Sequence, residues 1–395
     1  MLTLEEARRR LLARAQVTGE EEVSLSAASG RVLADPRIVA SLDVPPFANS
    51  AMDGYALRAA DTPGILRIVG EVAAGAAGLP EVSGGTAVRI TTGAPLPLGA
   101  DTVVPLEDAG ESDDAVTVPL TAPGTYVRIA GNDTPAGTEV CLPGVLGPPA
   151  IAVLASLGLA QVRVRRRPLI AILSTGDELV DPGLRLGPGQ IYDSNAAALA
   201  AAIIEAGGEP QRLGRVPDTR EAVEEALRTG AGSDVIVTSG GVSVGQHDYV
   251  RGVLEDSGGL DFWRIAVQPG KPLAVGEFAG VTVIGLPGNP VSALVTFELF
   301  VRPMIRTMLG IGGDGRLRLR ARPLEPIGKD ARRRAFLRVT VWHEAGEMLA
   351  RSSGGQGSAQ LRPLVEANAL LVVPEGEEAA DPNRTYEAIV FGELS

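Results

Sequence analysis

Val235-Ile-Val-Thr-Ser239-Gly240-Gly241-Val242-Ser243-Val244-Gly245-Gln-His247-Asp248-Tyr249 is the stretch that decides the fold. Its β-branched opening reads as a buried strand. The strand halts at a Ser-Gly-Gly turn, and Asp248 stands where an N-cap would start a helix from Tyr249 to Asp256. Strand, glycine-rich loop and helix start together offer several backbone N–H groups to an anion. Asp248 at the mouth of that loop only accepts hydrogen bonds, so it would repel a bare phosphate. A carboxylate there makes sense if it holds a cation or orients a water. The competing reading is a tight turn without a ligand.

Working outward, the same grammar runs from Pro168 to about Leu309. Leu169-Ile-Ala-Ile-Leu173 is a strand entering Ser174-Thr-Gly-Asp-Glu178. Asp193-Ser194-Asn195 caps a helix from Ala196 to Ala206, and Gln211 to Val216 is a second strand. Asp218-Thr-Arg-Glu221 has capping-box spacing and opens a helix to Arg228. Val281 to Gly285 gives a further strand, and Leu286-Pro287-Gly288-Asn289-Pro290 leads into a last helix that Pro303 should kink or break. Alternating strands and helices predict a doubly wound α/β domain whose loops converge at the carboxyl ends of parallel strands. Thr-Gly-Asp-Glu, the Ser239–Asp248 loop and Pro-Gly-Asn-Pro would share that edge. Acidic groups facing a cradle of N–H groups suit a magnesium–phosphate ligand.

The flanks differ. Thr3 can cap a helix to about Gln16, and Pro149 to Gly158 is a short helix expected to pack against it. Between them, short strands over residues 61 to 130 predict a small β domain inserted in a helical one. Its rigid loops carry Asp53-Gly54, Thr91-Thr92 and Gly131-Asn132-Asp133. After Gly310-Ile-Gly-Gly-Asp-Gly, read as a flexible linker, residues 316 to 395 predict a β-barrel or sandwich. There Arg332-Arg-Arg334 and Arg338 lie beside the loop Ser352 to Ser358. The pattern reads either as a basic edge strand or as an oxyanion-binding patch.

Composition limits the partners. The 395 residues carry a net charge of −12, which argues against nucleic-acid or anionic-membrane binding. Apolar residues make up 45% and aromatic residues 4%, so the cores are aliphatic. Lysine occurs only at Lys271 and Lys329. The single cysteine, Cys141, excludes an intrachain disulfide and multi-cysteine metal sites, and His247 and His343 are too few for a histidine centre. No apolar run is long enough to span a bilayer, and the charged N-terminus is no signal peptide. A soluble cytoplasmic protein is expected.

In chain order, Pro45-Pro-Phe47…Ser50-Ala-Met-Asp53-Gly-Tyr-Ala, Thr92-Gly-Ala-Pro-Leu-Pro, Gly131-Asn-Asp133, Ser174-Thr-Gly-Asp-Glu-Leu, Ser239-Gly-Gly-Val-Ser-Val-Gly, Pro269-Gly-Lys271-Pro and Leu286-Pro-Gly-Asn-Pro-Val-Ser form a series. That series resembles the molybdopterin molybdenumtransferase family, related to the gephyrin E domain, over essentially the whole chain. The resemblance implies molybdate insertion into adenylylated molybdopterin, cleavage of its pyrophosphate link and release of AMP, assisted by Mg2+. It implies a 1–44 plus 134–167 helical domain, a 45–133 inserted β domain, a 168–310 molybdopterin-binding domain and a 316–395 barrel.

On this reading Asp248 and Glu178 hold magnesium, Asp218 orients groups near the ligand, and Asp53 and Lys271 complete the catalytic set. Ser194, Ser239, Gly240, Gly241, Val242, Ser243, Gly245, Pro287, Gly288, Asn289 and Pro290 bind the substrate, with Thr92 and Asp133. Lys271, Arg334 and Ser358 receive the molybdate, with the choice among Arg332, Arg333, Arg334 and Arg338 for the cleft-facing arginine left open. The family forms elongated homodimers whose cleft draws on both subunits, and an adenylyltransferase supplying the substrate is an implied partner. Two positions depart from the pattern: Gln268 replaces a frequent Lys, and Ala359 a frequent His. Both leave tungstate open as an alternative oxyanion. Molybdopterin adenylyltransferase, which shares only the α/β domain, and a non-catalytic scaffold of the same fold are the competing functions.

Overall fold

A computed structural model describes residues 1–395 except Ala77, residues 243–248 and Ser395. The chain folds into two compact units. One comprises Met1–Glu21, Gly30–Val32 and Val164–Ser395, the other Glu22–Ser29 and Leu33–Arg163.

The first unit is built on a six-stranded sheet in the order Glu209–Val216, Leu169–Thr175, Val235–Ser239, Val281–Leu286, Ala274–Phe278, Leu260–Trp263. The first four strands are parallel and the last two are joined by antiparallel pairings, so the doubly wound sheet is mixed. Its central strands are buried from Ile170 to Thr175 and from Val235 to Ser239, because both faces are covered. Period two divides them cleanly. Ile170, Ile172, Val235, Val237, Ile284 and Leu286 join one core. Ala171, Leu173, Ile236 and Val283 join another with Val223, Leu227, Val250 and Leu254.

The helices follow their caps. Asp193 accepts from the Ala196 amide at 2.9 Å to start the helix Ser194–Ala206, which Gly207 ends at a φ of 97°. For the helix Arg220–Gly230 the cap is Thr219, whose hydroxyl accepts from the Ala222 amide at 3.3 Å. The capping box read at Asp218 is therefore displaced by one residue, because Thr219 holds the extended conformation a cap needs. Thr3 caps Leu4–Leu12, a shorter helix than expected. Its Ala7 and Leu11 enter the core that holds Met304, Ile305 and Met308, so this helix belongs to the first unit. The helix Pro148–Ser156 belongs to the second. Pro303 does not break its helix. Pro290–Thr296 and Arg302–Met308 are joined by a π-helical stretch, Phe297–Val301, which absorbs the missing amide as a widened turn.

Residues 317–390 form the barrel. Arg334–Glu344, Glu347–Ser352, Leu317–Pro323, Tyr386–Val390 and Ala369–Val373 pair in turn, and the last pairs back with the first. Leu337, Val339, Val341 and Leu371 fill it, whereas Phe336, Leu370 and Ile389 point into the core of the α/β region. Val267–Gln268 adds to the barrel as a parallel neighbour of Arg334–Ala335. The expected flexible linker is clamped: Arg302 Nε donates to the Asp314 carbonyl at 2.8 Å, and Asp314 is buried. Glycines alone would have left it loose; the aspartate anchors it.

The second unit is a six-stranded sheet ordered Thr102–Pro105, Gly54–Leu57, Thr86–Ile90, Gly64–Val72, Ala115–Val118, Gly110–Ser112. Gly54 is required there, since a Cβ would lie 2.0 Å from the Val104 carbonyl oxygen.

Candidate active site

Ser174, Ser239 and Leu286 are register neighbours at the carboxyl ends of three adjacent parallel strands. Their loops therefore emerge side by side. The Gly240 amide donates to the Leu286 carbonyl at 3.1 Å, and Gly240 and Gly241 both have positive φ, 96° and 70°. A Cβ on Gly240 would meet Thr175 Oγ1 at 2.9 Å, so this turn has no room for a side chain. Ser243, Gly245 and Asp248, named from the sequence, lie outside the described residues.

A cavity of about 550 Å³ opens here, lined among others by Glu178, Ser194, Asn195, Ser239, Gly288 and Pro290. Asn195 closes one side. Its Nδ2 donates to Ser239 Oγ at 2.7 Å and to the Gly288 carbonyl at 2.8 Å, tying the helix start to two loops. Asp193 also faces the cavity, and one oxygen of its carboxylate caps the helix. Glu178 lies against Gly176, where a Cβ would stand 2.7 Å from Glu178 Oε2; glycine makes room for the carboxylate. No described group of three His, Cys, Asp or Glu side chains forms a metal cluster. Glu178 alone still fits magnesium of the phosphate-bound kind, which takes one or two protein carboxylates and its other ligands from substrate and water.

Two smaller cavities adjoin it. One, of about 220 Å³, is lined by Gly240, Gly241, Val242, Pro272, Pro287, Gly288 and Asn289. The other, of about 290 Å³, includes Gln268, Lys271, Asn289, Arg333, Gln356 and Ser358. Asn289 lines all three. Pairing of Val267–Gln268 with Arg334–Ala335 is what carries the Lys271 loop to the barrel.

The sequence leaves open which of Arg332, Arg333, Arg334 and Arg338 faces the cleft, and of these Arg333 lines the cavity of Lys271. Arg334 is not among the cavity's lining residues: its guanidinium is held by Glu5 and, at 3.4 Å, by Glu375. Arg333, in the turn before the strand, lines the cavity and pairs with Asp330 at 2.9 Å. The Arg332 guanidinium and amide, with Arg333, hold the Asp330 carboxyl far below the usual range. Gln268 Oε1 accepts from the Asp330 amide at 2.8 Å, so Gln268 fixes the turn that carries Arg333. Ala359 lines the large cavity. Asn195 and Gln356 were not named as ligands from the sequence; Arg333 was one of the four arginines among which the sequence does not choose.

Asp218 follows the strand Glu209–Val216, its amide 3.4 Å from Asp177 Oδ1, and does not line these three cavities. In the second unit Asp53 accepts from the Thr92 amide at 2.6 Å and from its hydroxyl at 2.9 Å. The Thr92 amide first, then the hydroxyl, lowers the Asp53 carboxyl below its ordinary value. Asp133 accepts from the Thr134 hydroxyl at 3.2 Å.

Comparison with known proteins agrees with this architecture. Residues 2–158 match the MoeA N-terminal region (domain I and II), 171–307 a probable molybdopterin binding domain, and 320–391 the MoeA C-terminal region (domain IV). The fold and cleft thus define a MoeA-type multidomain protein around a probable molybdopterin binding domain. The molybdopterin molybdenumtransferase 2 of Mycobacterium tuberculosis is 40% identical over 89% of this chain and 90% of its own. The molybdopterin molybdenumtransferase of Haemophilus influenzae is 36% identical over the whole of both chains. A solved molybdopterin biosynthesis MoeA protein from Pyrococcus horikoshii superposes with a TM-score of 0.83 at 34% identity, covering 100% of both. The chain belongs to the molybdopterin molybdenumtransferase family. Among the described residues no helix is long and apolar enough to cross a membrane.

Proposed function

We propose that this protein inserts molybdenum into adenylylated molybdopterin and releases AMP. The observation that carries the reading is the meeting of three cavities at Asn289, one of them bearing Lys271 and Arg333. An elongated pterin nucleotide needs such a continuous cleft, and a tetrahedral dianion needs cationic and hydroxyl donors beside it. Residues 168–310 are the pterin-nucleotide domain on this reading.

The Gly240 amide is held by Leu286 and the Ala196 amide by Asp193, so the Gly241 amide and the first N–H groups of the helix Ser194–Ala206 would receive the phosphates. Asn195 would keep Ser239 and Gly288 in place around them. Lys271, Arg333 and Ser358 would hold molybdate next to the pterin end. The two dithiol sulfurs bond to molybdenum as one molybdate oxygen leaves with the thiol protons as water. A second water adds to phosphorus, the phosphoanhydride P–O bond breaks, its proton passes to the released phosphate, and AMP leaves. Bound magnesium would neutralise the phosphate charge and polarise that bond; Glu178, with Asp248, would hold it. Asp53 is assigned to the catalytic set with Lys271, Thr92 and Asp133 to the substrate, and Asp218 to orienting groups near it. A homodimer, cytoplasmic localisation and delivery of substrate by an adenylyltransferase complete the proposal.

The test is AMP release from adenylylated molybdopterin. Release that requires molybdate and falls on chelation of magnesium is expected. Consumption of ATP to adenylylate the pterin, with no molybdate-dependent AMP, would instead make the protein an adenylyltransferase. Neither activity would leave a binding scaffold.

A further inference from the structure

Arg338 lies in the barrel strand Arg334–Glu344 and is wholly buried, at 0% exposure. Leu337 and Val339 point into the barrel, whereas Phe336 and Leu370, the residue paired with Arg338, enter the core of the α/β region. Strand alternation puts Arg338 on that same outer side, inside an apolar junction. A guanidinium carries five N–H donors. Here Nη2 donates to the Gly355 carbonyl at 2.6 Å, while Nε and Nη1 find no partner. No carboxylate among the described residues pairs with it, and burial pushes its pKa down. A buried charge without a counter-ion is expensive to keep.

Its surroundings supply a reason. Gln356 clasps the Arg338 backbone from both sides: Oε1 accepts from the amide at 3.0 Å and Nε2 donates to the carbonyl at 3.0 Å. Gln356 and Ser358 line the cavity of Lys271 and Arg333. Residue 338 therefore holds Gly355 by its side chain and Gln356 by its main chain, directly behind that wall. Arg333 is already matched by Asp330, so its charge is partly spent.

We propose that Arg338 is a positioning residue for the oxyanion. It fixes the Gly354–Ser358 loop, and its unneutralised charge adds to that of Lys271, so the counter-ion it lacks is the bound dianion itself. The proposal rests on the oxyanion reading of this cavity.

Calorimetric titration of the full-length protein with molybdate, and separately with AMP, tests it on K271M, R338M, R338K and R338Q. K271M and R338M should each weaken molybdate by about tenfold or more, with AMP affinity held within about twofold. R338K keeps the charge and should recover most of the loss; R338Q keeps a donor for Gly355 without charge and should not. Thermal unfolding without molybdate should show R338M about as stable as the parent, since relief of an unpaired buried charge offsets the lost bond to Gly355. Normal molybdate binding by R338M beside a defective K271M would overturn the proposal while sparing the cavity. Recovery by R338Q and not by R338K would overturn the role of the charge. If R338M fails to fold, the contrast between R338K and R338Q decides. Unchanged binding in both K271M and R338M would sink the cavity reading, and the proposal with it.

Discussion

Asn289 Nδ2 donates to Ser358 Oγ at 3.0 Å, and the Val291 amide donates to the Ser358 carbonyl at 3.0 Å. The Pro-Gly-Asn-Pro loop of the α/β region and the glycine-rich loop of the barrel are thus joined through one serine. Because Asn289 lines all three cavities and Ser358 only that of Lys271, their variants should separate. Loss of such a hydrogen bond costs about 1 kcal/mol, roughly fivefold in binding. S358A should raise the KM for molybdate by about that factor and leave the pterin nucleotide alone. N289A should raise both. Steady-state AMP release at varied molybdate and varied nucleotide distinguishes them; an S358A enzyme with a nucleotide defect alone would refute the assignment.

Asn195 makes a similar joint on the other side, between Ser239 and Gly288. Asn195→Ala removes two bonds and should weaken AMP by up to about 30-fold. Asn195→Asp has nearly the same shape but turns a donor into an anion beside the phosphates, so its loss should be larger. Nucleotide titrations of both variants check the order. An aspartate variant that binds AMP as well as the parent would mean the phosphates lie elsewhere.

Much of the α/β region was legible because its rules are local. Continuous aliphatic runs at Leu169 and Val235 announce strands covered on both faces, and Asp193 with Gly207 marks both ends of one helix. What escaped depends on pairing across distant segments. Nothing local in Arg332-Arg-Arg334 says which guanidinium lines the cavity of Lys271; that depends on the pairing of Val267–Gln268 with Arg334–Ala335 and on the Gln268 bond to the Asp330 turn. The affiliation of the N-terminal helix escaped too. Its apolar stripe showed that it docks, and only the folded core shows that Leu11 docks beside Met308. Asp314 looked like one polar residue in a glycine linker, and its value as an anchor comes from Arg302 and Arg318 brought in by the fold.

Acid sensitivity should be visible at Asp234. Burial pushes its carboxyl up, but the two-pronged bond from Arg166, at 2.8 and 2.9 Å, and the Leu169 amide at 2.7 Å outweigh that, and its pKa is lowered. A carboxyl lowered on folding stabilises fully above its unfolded pKa, about 3.9, and that stabilisation is lost as pH falls through the folded value. Asp234→Asn should therefore reduce the urea midpoint at pH 7, and the gap from the parent should narrow below about pH 4. A gap that stays constant down to pH 3 would contradict the lowered pKa.

Arg333 and Arg334 are adjacent in sequence and opposite in expected effect. Arg333 lines the Lys271 cavity, where a charged donor to a dianion contributes about 1.5–3 kcal/mol. Arg333→Ala should therefore raise the molybdate KM by roughly 10- to 100-fold. Arg334 instead pairs with Glu5 and Glu375, both part-exposed, and such ion pairs contribute about 1 kcal/mol or less. Arg334→Ala should leave the molybdate KM within about twofold and lower the melting temperature slightly. The two variants carry the same loss of charge, so bulk electrostatics cancels from the comparison. Equal defects in molybdate KM would mean that the oxyanion responds to the net charge of the patch, and that the Asp330 turn, for all its hydrogen bonds, does not select the ligand.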